Sequence, residues 1–367
     1  MFFLKKHSII EDSPAFPAIP LHPRPGTLFF FACSFPFLPN NKGNRERKTF
    51  PASPFGAIVI YRYSKSMTSI NQTFRSPAKI NLYLKVTGTR LDGYHELETL
   101  FLPLTAPADE ITIRSNSAGQ GLSLSAEGAV LPLDSRNLCW KAAAAWSEAT
   151  GIPADFHLHL RKIVPVAAGL GGGSANAATV LLALNGHYGA PLDDRALAAL
   201  AVKLGADVPF FLHPRPAIAR GIGEQLEYPD YDIARLPILI AAPDFPVRAA
   251  WAYCHLEPAG GSGAALADLQ TALRRQDWPA VGQALRNDLA PAIFAKFPLL
   301  RMVRRDLLAG GACGAEISGS GPSLFAVCTS RAAAMTLAAD VQRRHGGTVR
   351  TFVSGGENSS DDAFRNV

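Results

Sequence analysis

The residues able to do chemistry in this chain fall into a few short stretches. The most telling is P-V-A-A-G-L-G-G-G-S-A-N-A-A-T-V-L-L-A-L at 165–184. Four glycines within five positions (Gly169, Gly171, Gly172, Gly173) run into Ser174 and an alanine-rich apolar segment. Glycine admits positive φ and lets a ligand come close to backbone N–H groups. A helix that starts there adds unpaired N–H groups and a positive dipole end. That composition reads as a phosphate cradle, with a structural turn and tight packing on Ala175, Ala177 and Ala178 as the alternative. Two common nucleotide loops are excluded. No lysine follows Gly173, as a Walker A loop requires, and Ser174 stands where the dinucleotide fingerprint has its third glycine.

Four further stretches surround it. In S-P-A-K-I-N (76–81), Lys79 and Asn81 lie two apart on a strand-like run and so share one face. A lysine turned inward needs an anionic partner, and Asp207 or a phosphate would supply it. Asp207 lies in L-G-A-D-V-P-F-F (204–211), just past a helix end. It reads either as the N-cap of the next turn or as a carboxylate able to take a proton from a hydroxyl. I-S-G-S-G-P-S-L-F (317–325) is a second small-residue loop. It is either a plain hairpin turn or the other side of a polyanion site. D-G-Y-H (92–95) carries a hairpin signal, yet its Tyr94 and His95 could also stack on and hydrogen-bond a planar base. His157 and His159 share a strand face and mimic a metal pair, but no third ligand is near in sequence, so they read as a polar face.

Elements of both kinds must position these groups. Strand-like alternation runs from Phe74 through Val86, and again over 95–104, 111–114, 122–125 and 156–163. Helices are predicted at 137–150, stopped by Gly151 and Pro153, and at 174–188. Another starts from an Asp193 cap and ends at Leu204–Gly205. Beyond them come a strand at 237–242, a loop at 257–263, and helices at 264–275, 278–285 and 296–309. Strands at 316–318 and 324–329 flank the second loop, with a helix at 331–345 and a last strand at 348–353. Strands with helices on one side indicate an α+β fold, with a boundary near 225–235.

Composition narrows the class. The chain has 367 residues, 48% of them hydrophobic and 18% charged, which describes a globular protein with room for two domains. Nine Lys or Arg against three Asp or Glu in residues 1–66 carry the entire net charge of +6. The rest of the chain is neutral, which argues against a nucleic-acid partner. Five scattered cysteines without a C-x-x-C fit a reducing compartment. No apolar run reaches the about 20 residues a membrane span needs. Residues 1–66 are rich in Pro, Phe and basic residues and lack a lasting period. They read as an extension ahead of a start at Met67, with a disordered arm or organelle-targeting peptide as alternatives. The expected location is cytoplasmic. The tail at 356–367 reads as disordered.

Taken together, P-A-K-I-N-L-Y-L, P-x-x-x-G-L-G-G-G-S-A-N-A-A and G-S-G-P-S-L-F resemble the GHMP kinase superfamily, in the family's order. Within it, D-G-Y-H and L-G-A-D-V-P-F-F are similar to the branch whose acceptor is 4-diphosphocytidyl-2-C-methyl-D-erythritol, of the non-mevalonate isoprenoid pathway. The resemblance runs from Phe74 to Val353. It implies a two-domain α+β fold, with a ribosomal-S5-like N-terminal domain (67–228) and a ferredoxin-like C-terminal domain (229–355). It implies ATP with Mg²⁺, and transfer of the γ-phosphoryl group to a hydroxyl of a small cytidine-diphosphate-linked polyol.

Residue by residue, the resemblance implies Lys79 and Asp207 as the catalytic pair. ATP would lie against Pro165, Val166, Ala167, Ala168, Gly169, Leu170, Gly171, Gly172, Gly173, Ser174, Ala175 and Asn176, with Asn137 and Lys162 near the adenine. Asn81 would touch the polyol, Tyr94 and His95 the cytosine, and Tyr253 its opposite wall. Gly319, Ser320 and Gly321 would face phosphates or acceptor. The metal ligands are left open, and the expected assembly is a monomer or weak homodimer. Two departures stand out: Ala249 occupies a position where the family often has a hydroxyl, and the glycine loop reads S-A-N rather than S-S-N.

Overall fold

The computed structural model describes residues 69–230, 233, 235–256 and 265–356. The expectations for the extension 1–66, for Met67 and for the loop at 257–263 lie outside these residues, as does all but the first residue of the tail. The chain order is β1 (Asn71–Thr89), β2 (His95–Ser115), β3 (Ser123–Glu127), α1 (Leu138–Thr150), β4 (Phe156–Arg161), α2 (Gly172–His187), α3 (Asp194–Leu204), β5 (Ala217–Arg220), β6 (Gln225–Glu227), β7 (Ile238–Pro243), α4 (Ala249–Cys254), α5 (Leu266–Arg275), α6 (Trp278–Gln283), β8 (Arg286–Asn287), α7 (Ala290–Lys296), α8 (Pro298–Ala309), β9 (Gly314–Ile317), β10 (Leu324–Val327), α9 (Arg331–His345) and β11 (Val349–Ser354).

Among the described residues two sheets form. The first runs β3-β4-β2-β1-β8, with β5 on β2 and β6 on β5; the second runs β11-β7-β10-β9. The hairpin of β1 and β2 is the spine of the first. The strands expected separately at 95–104 and 111–114 are one strand. Its pairing steps from Pro77↔Ala108 to Ala78↔Leu104, so residues 105–107 bulge out and the ladder resumes past Pro107. The bulge is used: Thr105 N donates to Ser354 Oγ on β11, which ties the two sheets together. The D-G turn closes this hairpin, with Asp92 Oδ1 accepting from Tyr94 N.

Other corrections are local. The helix expected from Ser174 begins at Gly172, because Gly171 takes a left-handed conformation (φ +67°) that turns the chain into it. The helix expected from Lys296 begins at Pro298, whose fixed φ suits a first turn, and α7 fills the stretch before it. The helices α4 and α7 and the strands β5, β6 and β8 are too short for their periodicity to show in sequence. His157 and His159 are a polar strand face, as expected. Their ring nitrogens hydrogen-bond Ser123 and Ser125.

The core is shared. One apolar cluster joins Ile80, Leu82, Leu100 and Leu170 of the first half to Ile240, Leu269, Leu273 and Phe325 of the second. Burying such large side chains contributes roughly 1.5–3 kcal/mol each, so the two glycine loops that bracket this cluster are held against each other by the core beneath them. Among the described residues, no helix is long and apolar enough to cross a membrane.

Candidate active site

β1 carries Lys79 and Asn81 on one face, and the backbone fixes where they stand. Lys79 N donates to Leu170 O of the glycine loop at 3.0 Å. The Lys79 ammonium donates to Asn81 Oδ1 at 2.7 Å, lies 3.4 Å from Asp207 Oδ2 and sits 4.7 Å from the centre of the Phe101 ring. The two partners differ in burial: the Lys79 side chain is 5% exposed and that of Asp207 is 32% exposed. The inward lysine therefore has its anion, and the carboxylate stays partly exposed. Asp207 does not cap the next turn. That short 3-10 turn, Pro209–Leu212, follows Val208 and has no side-chain cap.

The glycine loop wraps over Lys79. A Cβ built on Gly171 would stand 3.0 Å from Lys79 Cγ and from the Phe211 ring, and its φ of +67° favours glycine there. α2 then starts without a side-chain cap. The first-turn N–H groups of Gly172, Gly173 and Ser174 thus lack intrahelical partners, while Ala175 N already bonds Gly171 O. Ala167, at φ +51°, is a non-glycine residue held in the left-handed region within this loop, a kind of strain that clusters at ligand sites. A cleft of about 320 Å³ opens in front. Pro165, Val166, Ala167, Ala168, Gly169, Leu170, Gly171, Gly172, Gly173, Ser174 and Asn176 line it, with Asn137, Lys162 and the apolar Leu131, Pro132 and Leu138. Ala175 is fully buried behind them.

Two of the residues expected near an adenine line this cleft while their polar groups are engaged inside the protein. Asn137 caps α1, accepting from Cys139 N and donating to Pro132 O. Lys162 forms a buried pair with Asp109 and donates to Asn176 Oδ1. Asn176 in turn donates to Ser76 Oγ and Asp109 Oδ2, both at 2.9 Å.

The second loop meets the first edge to edge. Ser318 Oγ donates to Gly169 O at 2.9 Å and Ser323 N to Ala168 O at 3.3 Å. A Cβ on Gly169 (φ +76°) would fall 2.0 Å from Ser318 O, and one on Gly319 3.2 Å from Asn81 Oδ1. Gly319, Ser320 and Gly321 thus lie beside Asn81 and the glycine loop.

On the other side of Asp207, the His95 and Tyr253 rings stack with centroids 5.2 Å apart and planes 25° from parallel. Burial, reinforced by the Asp207 carboxylate, pushes the Tyr253 phenol far above its ordinary range and keeps it neutral. Tyr94 stands exposed at the turn, apart from that stack. Ala249 opens α4, the helix that carries Tyr253.

Sequence reasoning missed the residues that brace the loops. Asp109 is fully buried. Its Oδ1 accepts from Ile163 N and Val164 N at 2.7 and 2.8 Å, just ahead of the glycine loop. Asn287 is buried too, and its Nδ2 donates to Ile317 O and Gly319 O at 2.8 and 2.7 Å. Asp109 sits in A-P-A-D-E-I beside Glu110, and Asn287 in L-R-N-D-L, and neither stretch carries a pattern that singles it out.

Comparison with known proteins identifies relatives of this chain. Residues 137–215 match the GHMP kinases N terminal domain and residues 269–347 the GHMP kinases C terminal domain. The 4-diphosphocytidyl-2-C-methyl-D-erythritol kinase of Oleidesulfovibrio alaskensis is 39% identical, over 73% of this chain and 94% of its own. A crystal structure of a 4-(cytidine 5'-diphospho)-2C-methyl-D-erythritol kinase superposes with a TM-score of 0.67 at 36% identity, over 78% of this chain and all of that one. A homoserine kinase from Cytophaga hutchinsonii shares the fold, with a TM-score of 0.63 at 23% identity, over 81% of this chain and 98% of its own. With such identity along nearly the whole of its relatives, the chain belongs to the GHMP kinases, in the 4-diphosphocytidyl-2-C-methyl-D-erythritol kinase family, and is an ATP-dependent small-molecule kinase.

Proposed function

We propose that this enzyme transfers the γ-phosphoryl group of ATP to the 2-hydroxyl of 4-diphosphocytidyl-2-C-methyl-D-erythritol. The observation that carries the reading is the Lys79–Asp207 pair, 3.4 Å apart under the glycine loop, with the His95–Tyr253 stack beside it. Phosphoryl transfer asks a protein mainly for positioning and charge stabilisation. The N–H groups of Gly172, Gly173 and Ser174 receive the phosphates at the start of α2. The acceptor oxygen bonds to the γ-phosphorus as the bond to the β-phosphate oxygen breaks and ADP leaves. Lys79 offsets the charge at the reacting oxygens. Asp207 takes the hydroxyl proton late, because a carboxylate is a weak base for an alcohol until bond formation has acidified it.

The residues present suit Mg²⁺. Among the described residues no cluster of three or more His, Cys, Asp or Glu exists, so the softer metals have no cage. Asp207 and the Ser174 hydroxyl are hard oxygen donors beside the loop; a Cβ on Gly205, two residues before Asp207, would stand 4.0 Å from Ser174 Oγ. Mg²⁺ is commonly held by one or two such groups together with substrate phosphates and water. Ser174 would help hold it together with the ATP phosphates and water, and it would supply charge neutralisation on the phosphates.

The aromatic stack separates this acceptor from those of homoserine- or mevalonate-type kinases, which offer no base to stack on. His95 and Tyr253 would part to admit the cytosine between them. Asp207→Asn is expected to lower kcat by about 10²–10⁴-fold with little change in KM. Near-normal turnover in a folded Asp207→Asn protein would remove Asp207 from the reaction. ADP release measured with ATP, Mg²⁺ and a panel of acceptors tests the substrate. Turnover confined to the cytidylyl polyol supports the proposal. Equal turnover with homoserine or mevalonate rejects it, and no turnover with any acceptor leaves a nucleotide-binding module.

A further inference from the structure

We infer that Thr99 is a positioning residue that acts through Asn81 to hold the Lys79 ammonium in place, an inference that rests on the role of Lys79 proposed above. Thr99 is fully buried on β2, two residues before Phe101 and so on the same face. It links the lysine to the backbone through three bonds. Lys79 Nζ donates to Asn81 Oδ1 at 2.7 Å, Asn81 Nδ2 donates to Thr99 Oγ1 at 2.8 Å, and the Thr99 hydroxyl donates to Tyr83 O at 2.5 Å.

The chain of bonds has only one possible polarity. A carbonyl oxygen can only accept and an ammonium can only donate. The Thr99 proton must therefore point to Tyr83, its lone pair must face the Asn81 amide nitrogen, and the amide oxygen must face Lys79. The anchor sits where the strand itself is irregular. Pairing steps from Asn81↔Phe101 to Tyr83↔Leu100, so Leu82 is an extra residue in β1, and such bulges re-aim neighbouring side chains.

The reaction gives this anchor its purpose. Asp207, the other partner of Lys79, must turn to the acceptor proton during transfer. Asn81 is then the contact that keeps a flexible lysine stem aimed at the reacting oxygens. Without the Thr99 hydroxyl, the Asn81 amide nitrogen loses its fixed acceptor and the amide oxygen is held less firmly toward the ammonium.

The test is Thr99→Val, close to isosteric, made in the native enzyme and in a Lys79→Met background, with Thr99→Ser as the conservative control. The readouts are kcat, KM for ATP and the thermal unfolding midpoint. In the native background we expect kcat to fall about tenfold with KM for ATP unchanged, and Thr99→Ser to restore it. In the Lys79→Met background Thr99→Val should cost nothing further, because the group it positions is gone. The same fold-loss in both backgrounds, or no loss in the native one, overturns the inference. Native-like turnover by Lys79→Met overturns the role of Lys79 itself and this inference with it, a result distinct from the other two. Should Thr99→Val fail to fold, Thr99→Cys, whose thiol is a weak donor and acceptor, carries the same expectations.

Discussion

The loop at 165–171 runs into a helix of sixteen residues, whereas the loop at 318–323 returns into a strand of four. Both are rich in glycine and other small residues, and they touch. Their backbones are used differently. In the first loop the carbonyls are spent: Ala168 O and Gly169 O accept from Ser323 N and Ser318 Oγ, and Leu170 O accepts from Lys79 N. What remains at its end are the N–H groups that open α2, without a side-chain cap. In the second loop several carbonyls and donors are engaged within the protein, while the buried Ser323 hydroxyl has no partner among the described residues. Ile317 O and Gly319 O accept from Asn287, Ser318 N bonds Ser323 O, and Gly321 N bonds Ser318 O. The first loop ends in helix N–H groups that no side chain caps, whereas the second reaches across to the first through Ser318 and Ser323. Similar composition is therefore no guide to similar work.

That contrast can be broken most severely at the contact itself. Gly169→Ala would put a Cβ 2.0 Å from Ser318 O at a φ of +76°. The overlap is with backbone, which cannot swing aside, and the left-handed conformation adds its own strain. We expect destabilisation on the order of 3 kcal/mol or more, read by denaturant unfolding, with turnover lost alongside. A fully stable Gly169→Ala enzyme would mean that the loops are not braced against each other.

Asn287→Ala acts on the brace alone. It leaves Ile317 O, Gly319 O and Leu289 N without their side-chain partner, at a cost of about 2–3 kcal/mol. Because Gly319 lies against Asn81, KM for the acceptor should rise more than KM for ATP. The reverse order would assign the second loop to the nucleotide.

Gly173→Ala is the mildest and the sharpest. A Cβ there meets only Leu138 Cδ1, at an ordinary 3.5 Å. Alanine in place of a helical glycine should stabilise the fold by about 0.5–1 kcal/mol, seen as a higher Tm. A simultaneous rise in KM for ATP would then come from the ligand's need for space, since the protein itself has room. An unchanged KM would show that phosphate does not approach this position.

Much of the architecture was legible in the residues alone. Strand alternation, the cap at Asp193, and the helix Arg331–His345 are local signals, written in neighbours two to four residues apart. The alternation of the long strand β2 is interrupted in sequence around Pro107. Only the partner strand shows that Pro103 stays in register opposite Lys79 and that the bulge at 105–107 absorbs Pro107. Short elements such as α4 and β8 have too few residues for any period to register, yet they carry Tyr253 and Asn287.

The candidate site divides the same way. The sequence by itself determined the chemistry: a glycine loop that is neither of the two common kinds, a lysine and asparagine sharing a strand face, and a lone carboxylate after a helix. The tertiary structure alone decided the pairings. Lys79 could have turned to solvent or to a phosphate; its 3.4 Å approach to Asp207 depends on residues 128 positions apart being brought together by the shared core. Lys162 and Asn176, which resemblance puts near the nucleotide, have their side chains bound to Asp109 beneath the loop. A buried carboxylate has to find donors wherever the fold supplies them, and Asp109 found its own on the segment 163–164 and on α2. Such long-range satisfaction leaves no periodic trace in a sequence, because it is set by which elements pack together and not by which residues are neighbours.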